Sequence, residues 1–436
     1  MSDSGVKWIG NIPNNWTVTK LKYLIDKVSS GGTPDSSNDM YYSLENGIPW
    51  VTISDMSTIR EVKKTTKKIS DLAIKDKKLT IYKPGVLLLA MYASVGKVAR
   101  LCVPATVNQA ILAIECNKEK LSLAYSEYCF NAYEPYLMSE SNGTTQFNLN
   151  ANTVLNLYVP YIPLPIQNKI VEVLDNKISK IDALIANENK QIERLDEYKK
   201  AVITKAVTKG LDHNAKMKDS GVKWIGEIPD GWSIQKVLFQ LSMPITDGPH
   251  TTPLLYDKGI AFVSAEAVSC GNGTIDFRHI RGYISEEFYQ ECCKKYIPEI
   301  DDIYMIKSGA TTGKVSMVTT LEPKFTIWSP LAVMRTDRNK MISKYLYYSV
   351  QADSFQKQVE LGWSFGTQQN LGMRTLEQLK IAVTSLSEQQ QIVDYLDEKC
   401  EKINRIIEIK KSKIEKLQDY KKSLIYEYVT GKKEVC

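Results

Sequence analysis

The sequence predicts an α+β protein with an internal pseudo-twofold repeat: two similar mixed α/β domains joined and separated by two long helices packed as an antiparallel coiled coil. Three observations carry that prediction. A short block, DSGVKWIGNIPNNW at residues 3–16, returns 216 residues later as DSGVKWIGEIPDGW at 219–232, with 11 of 14 positions identical. A longer block beginning PIQNKIV at Pro165 returns as SEQQQIV from Ser387, 222 residues on, and the match runs for about forty residues. Between these blocks lie two stretches, approximately 14–160 and 230–384, each long enough to build its own core.

The elements follow in chain order. The first domain, 1–162, contains short apolar runs such as Gly85–Ala90 bounded by glycine and proline, the pattern of strands and turns in a mixed fold. The first helix occupies 163–210. Val171, Leu174, Ile178, Ile181, Ile185, Ile192, Leu195 and Val202 follow alternating three- and four-residue steps, with polar Glu188 and Lys199 interrupting the seam. Pro163 and Pro165 favour extended backbone ahead of it, and Gly210 supplies a stop. The second domain, 211–384, opens with the repeated DSGVKWIG segment and contains the run Ile260–Val263. Its weak echo of the first domain, Gly96-Lys97-Val98 against Gly313-Lys314-Val315, indicates a shared fold with different side chains. The second helix, 385–436, keeps the phase of the first through Val393, Leu396, Cys400, Ile403, Ile407, Ile414, Leu417 and Leu424, with Lys410 and Lys421 as interruptions and Gly431 as its stop. A helix of forty residues is roughly 60 Å long and cannot bury such a stripe alone. Two equivalent stripes therefore predict mutual packing, the alternative being that each docks on its own domain.

Composition excludes several classes. The 436 residues are 43% hydrophobic and 24% charged, which rules out general disorder. The longest apolar run, Val86–Tyr92, falls far short of the roughly 20 residues that cross a bilayer, so no membrane span is expected. The N-terminus lacks a basic segment followed by an apolar stretch and a small-residue cleavage site, so no signal peptide is expected and a cytoplasmic location is the default. Eight cysteines without a CxxC pair, and only three histidines, argue against a zinc site and for a reducing compartment. The net charge is +6, and the segment Lys399–Lys433 alone holds 11 basic against 5 acidic residues. The rest is balanced, with a local basic cluster at Lys63, Lys64, Lys67, Lys68, Lys75, Lys77, Lys78 and Lys83 that suits either a polyanion or a solvated face.

Enzyme motifs fail on inspection. Gly309–Val315 has three residues where a phosphate loop needs four before its Gly-Lys, and a valine where that loop needs a magnesium-binding hydroxyl. Gly271-Asn272-Gly273 lacks the third glycine of a dinucleotide site, and neither HExxH nor GxSxG occurs. Two variable domains on a repeated helical frame suit recognition better than catalysis.

With these residues in view, the chain resembles the specificity subunit of type I DNA restriction-modification systems, the HsdS family, over nearly its whole length. The likeness rests on the doubled DSGVKWIG block, on Gly31-Gly32-Thr33-Pro34 ahead of Gly47–Thr52, and on Met91–Ala99. It rests further on Asp247–Pro253, on Trp328-Ser329-Pro330-Leu331, and on the helices after LPIQNKIV and LSEQQQIV. The resemblance implies a noncatalytic subunit whose two target-recognition domains each read one half of a split sequence in double-stranded DNA. It also implies that the paired conserved spacer helices set the distance between halves and bind two modification methyltransferase subunits, joined by restriction translocase-nuclease subunits. S-adenosylmethionine, ATP and magnesium are then expected only on those partners, with no cofactor, catalytic residue or metal in this chain.

On that reading Lys63, Lys64, Lys67 and Lys68 are expected on the DNA backbone, with Tyr92, Ser94 and Lys97 nearby. In the second domain His250, Thr251, His279, Arg281, Thr311 and Lys314 project near turn glycines, and Arg281 could donate twice to guanine. Ser364, Thr367 and Gln368 lie in a polar-aromatic loop, Trp363–Gln368, ahead of the second helix. Bland readings stay open: a solvated face for the lysines, a core aromatic for Tyr92, a turn cap for Thr251, domain-to-helix packing for the loop. The alternative function is an internally repeated protein-interaction scaffold without sequence-specific DNA binding, and an intrinsic methyltransferase or nuclease is a third class.

Overall fold

The structure, a computed structural model, describes residues 1–43, 46–56, 60–92, 94–140, 149–365 and 369–435. It divides into two compact units that do not follow chain order: residues 1–188 with 411–436, and residues 189–410. The division falls inside both long helices, Leu164–Lys209 and Leu386–Val429, so each unit holds one half of each.

The first unit carries a five-stranded sheet in the order Ile25–Ser30, Ile111–Cys116, Val86–Ala90, Val98–Leu101, Glu61–Val62, antiparallel except for its last pair. A second sheet runs Thr106–Val107, Ile48–Val51, Lys67–Ile69, Tyr42–Ser43, with its first pair parallel. Every residue of Val86–Ala90 is buried, as a central strand covered on both faces requires. One core packs Leu87, Leu89, Leu112 and Ile114 with Tyr125 and Tyr128 of the helix Leu123–Glu140 and with Ile170, Leu174 and Ile178 of the first long helix.

The second unit repeats this plan with shorter sheets. Thr246–Asp247, Leu331–Met334, Ile303–Ile306 and Val315–Met317 form one antiparallel sheet, and Tyr283–Ile284, Ile260–Val263 and Phe325–Ile327 form the other. The repeat extends to register: Lys20 opposes Tyr158 in the first unit as Lys236 opposes Lys380 in the second.

Where domain meets helix, the two units use the same hydrogen bonds. Buried Gln167 donates through Nε2 to the carbonyls of Lys120 and Ile162 and accepts from the Ser122 N–H, each at 2.8 Å. Buried Gln389 donates to the carbonyls of Lys340 and Thr384 and accepts from the Ile342 N–H. Tyr128 donates to Asp175 at 2.6 Å, and Tyr348 donates to Asp397 at 2.7 Å.

The helices pair antiparallel within each unit. In the first, Glu188 meets Lys413 at 2.6 Å and Asp182 meets Lys421 at 2.6 Å. In the second, Lys410 donates to Gln191 at 2.5 Å and Lys199 to Asn404 at 2.8 Å. The polar interruptions of the heptads are therefore cross-helix partners, the role that fixes register. Along the stripe Leu174, Ile178, Ile181, Val393, Leu396, Cys400, Ile403 and Ile407 are buried, whereas Val171, Ile185, Ile192, Leu195, Ile414 and Leu417 are half-buried.

Pro165 lies within the first turn of its helix rather than ahead of it, as the sequence suggested. That turn has no intrahelical use for a proline N–H, so the ring costs nothing there. Gly210 and Gly431 both adopt φ +71°, the left-handed stop that glycine takes without a Cβ penalty. The repeated N-terminal blocks seat on these stops. A Cβ on Gly431 would meet Pro13 and Trp16, and one on Gly210 would meet Trp232 and Pro229.

Candidate nucleic-acid interface

In each unit a glycine of the motifs Gly31–Pro34 and Asp247–Pro253 lets a loop approach backbone that a side chain would block. In the first unit a Cβ on Gly31 would lie 1.8 Å from the Val107 carbonyl, and the Trp50 indole donates to the Gly32 carbonyl at 3.1 Å. In the second a Cβ on Gly248 would lie 2.1 Å from the Ile327 carbonyl and 2.7 Å from Trp328. The next loop is pinned equivalently in both. The Met91 N–H donates to Ala110 and its carbonyl accepts from Leu149; the Lys307 N–H donates to Pro330 and its carbonyl accepts from Leu371.

The first-domain candidates do not form one face. Lys63, Lys64 and Lys67 are exposed, but Lys67 and Lys68 are successive residues of one strand and so point to opposite faces, Lys68 half-buried. Lys63 is ion-paired to Glu61 at 2.7 Å. Tyr92 is exposed, not a core aromatic. Ser94 is half-buried in the turn where its N–H donates to the Tyr92 carbonyl, and Lys97 pairs with Glu134 at 3.1 Å.

The second-domain candidates fall into four groups. His250 is exposed with Nε2 3.2 Å from buried Asp247, and exposed Thr251 lines a cavity of about 250 Å³ beside it. Arg281 lies over the Trp328 ring at 3.9 Å, a stacked guanidinium on the same loop cluster. His279 instead pairs with Asp276 at 3.0 Å, a carboxylate also gripped by Arg278, whose guanidinium holds it well below the usual carboxylate range. Thr311 and Lys314 sit in the turn between Gly309 and Val315, where the Lys314 N–H donates to the Thr311 carbonyl. Lys314 borders a separate cavity of about 560 Å³ with Lys199 and Lys200. Ser364 belongs to a short hairpin, Ser364–Phe365 with Gln369–Asn370. Thr367 and Gln368 lie outside the described residues.

Sequence reasoning missed the charged centres beneath these surfaces. In the first unit fully buried Glu127 is held by Arg60 at 2.5 Å and Arg100 at 2.9 Å, and Arg60 continues to Asp175 on the long helix at 2.9 Å. Burial raises the Asp175 carboxyl, but hydrogen bonds from Tyr128 and Arg60 outweigh it and leave it low. In the second unit Asp247 is surrounded by Lys295, Lys307 and His250. Burial works against its charge, and the two lysines more than compensate. Asp247 and His250 belong to a motif noted in the sequence, and a lysine closing an apolar run, as Lys307 does after Ile303–Ile306, is a further visible signal of that centre.

Among the described residues no group of three His, Cys, Asp or Glu could hold a metal ion, and no helix is long and apolar enough to cross a membrane. Residues 13–194 and 257–418 match the family described as "Type I restriction modification DNA specificity domain". The chain is 23% identical over 427 residues to the type I restriction enzyme MjaVIII specificity subunit of Methanocaldococcus jannaschii, covering 97% of this chain and 93% of that one. It is 33% identical over 193 residues, 43% of each chain, to the MjaIX specificity subunit of the same organism. Its fold resembles a chain solved for the complex assembly and conformational transition of the type I R-M system, with TM-score 0.65 and 16% identity over 96% of this chain and 98% of that one.

Proposed function

Since the chain belongs to the type I restriction-modification DNA specificity family and is the noncatalytic DNA-specificity subunit of such a complex, we propose that each of its domains reads one half of a split target. The observation that carries this reading is the repeat itself. Each unit owns a complete set of sheets, a glycine-gated loop cluster and the same glutamine junction to the helices, yet the loop side chains differ between units. Equivalent scaffolds with unlike loops read unlike sequences. Phosphate contacts from lysines such as Lys63, Lys64 and Lys67 supply affinity, and donors fixed at the loop cluster supply base choice.

DNA, methyltransferase subunits and restriction subunits are the partners. In this reading the two methyltransferase subunits dock on the paired helices, whose exposed apolar residues recur as Leu184 and Ile406 and as Tyr198 and Tyr420. S-adenosylmethionine, ATP and magnesium are used on those partners. The location is cytoplasmic: seven cysteines among the described residues are unbridged, which suits a reducing compartment.

The test is to assemble the complex with its genomically adjacent methyltransferase subunit, then exchange residues 14–160 for those of another specificity subunit and sequence the methylated sites. One half of the recognised site changes and the other is kept. A change in both halves would refute modular reading, and sequence-insensitive binding would favour the scaffold alternative.

A further inference from the structure

Asp247 is a fully buried carboxylate at the end of an edge strand, and three nitrogens converge on it. Lys295 Nζ lies 2.5 Å from Oδ1, while Lys307 Nζ and His250 Nε2 each lie 3.2 Å from Oδ2. The two lysines are not equivalent. Lys307 is 13% exposed and its backbone is hydrogen-bonded on both sides, so it is the internal countercharge. Lys295 is 51% exposed, follows the helix Glu286–Cys293, and lines the 250 Å³ cavity with Thr251, Phe288 and Thr326. An ammonium has three N–H donors, and Asp247 takes one of them.

One anion between two lysines leaves one unit of positive charge, on the outward cation. If the cluster served only to attract phosphate, the carboxylate would be counterproductive, because it cancels half of the lysine charge. What it supplies is direction. Phosphate contacts tolerate a mobile cation, whereas a base edge needs donors at a fixed place. Trp328, against which Gly248 packs, carries the stacked Arg281 beside the same loops.

We propose that Asp247 is a specificity-positioning residue, which holds Lys295 as a fixed donor to the O6 and N7 acceptors of a guanine in the half-site read by the second domain. This rests on the DNA-reading assignment above.

The experiment uses the assembled methyltransferase complex and a DNA library randomised over both half-sites, comparing wild type with K295M, D247N and the double variant. Wild type selects guanine at one position of the second half. K295M loses roughly tenfold or more of that selectivity, the scale of one good base contact. D247N loses selectivity at the same position, the double variant is no worse than K295M, and the first half is unaffected throughout. In wild type, 7-deazaguanine at that position, which removes N7 and keeps O6, takes away part of the same selectivity. Uniform weakening on all sequences, with the salt slope reduced by about one, would mean a phosphate contact and overturn the proposal. So would selectivity left intact in K295M, which leaves Asp247 its Lys307 and His250 contacts and whose folding is checked by its thermal melt, or a D247N effect confined to thermal stability. A wild-type complex without any sequence selectivity would instead overturn the DNA-reading assignment.

Discussion

Substituting Glu127 by alanine removes a carboxylate that both Arg60 and Arg100 contact, from a site with no solvent exposure. Breaking a buried ion pair from one side typically costs about 3–5 kcal/mol, because the abandoned charge stays desolvated. Here the arginines are 36% and 23% exposed and keep Asp175 and Glu61 as secondary partners, so the lower end, about 3 kcal/mol, applies. For a unit of this size each kcal/mol moves the melting temperature by roughly 2–4 °C, which gives a fall of about 6–12 °C. E127Q, which keeps an acceptor but not the charge, falls between alanine and wild type. Calorimetry measures the shift, and hydrogen exchange should place the lost protection in Val86–Leu101 and Leu123–Cys129, where these side chains pack. A melting temperature for E127A within 1 °C of wild type would refute the account of Glu127 as an obligatory counterion.

Three further outcomes are expected. Q167A and Q389A each strand two carbonyls and one N–H, at about 1–3 kcal/mol, and the near-identical bonding predicts near-equal losses by chemical denaturation; a difference above about 2 kcal/mol would deny the equivalence. G431A should destabilise more than G210A, since both impose a Cβ at φ +71° but only the former drives it to 2.5 Å from Pro13; melting temperatures in the reverse order would contradict this. Asp175 titrates below its unfolded value, so its contribution is complete above about pH 4 and is lost as pH falls through the folded value. The stability gap between wild type and D175N should therefore close in acid, and a gap unchanged from pH 7 to about pH 2.5 would refute the assignment.

The repeat and the helical stripes were legible because both are periodic, and periodicity needs no knowledge of the fold. Glu188 was visible as a break in a seam, but its partner Lys413 was not, since that lysine lies off the apolar stripe of a helix 225 residues away. Glu127 left no trace: it sits within an ordinary helix, and the residue in its place in the second unit is Tyr347, so no echo marked it. The Asp247 loop was singled out, yet the aspartate's role depends on lysines 48 and 60 residues further along. The basic cluster at 63–68 shows what nearness in sequence leaves open. Of its four lysines only Lys67 and Lys68 lie in a strand, whose alternation turns them to opposite faces, while Lys63 and Lys64 precede it and are exposed.

Among the described residues, the hydrogen bonds of Gln167 and Gln389 go to main-chain carbonyls and N–H groups of the domains they secure. A socket that grips peptide groups is blind to the side chains around it. Mutation or recombination can therefore rewrite nearly every residue of a domain's outer loops without loosening its mount. The chain can acquire a new reading head while its frame, and whatever assembles on that frame, goes on unchanged.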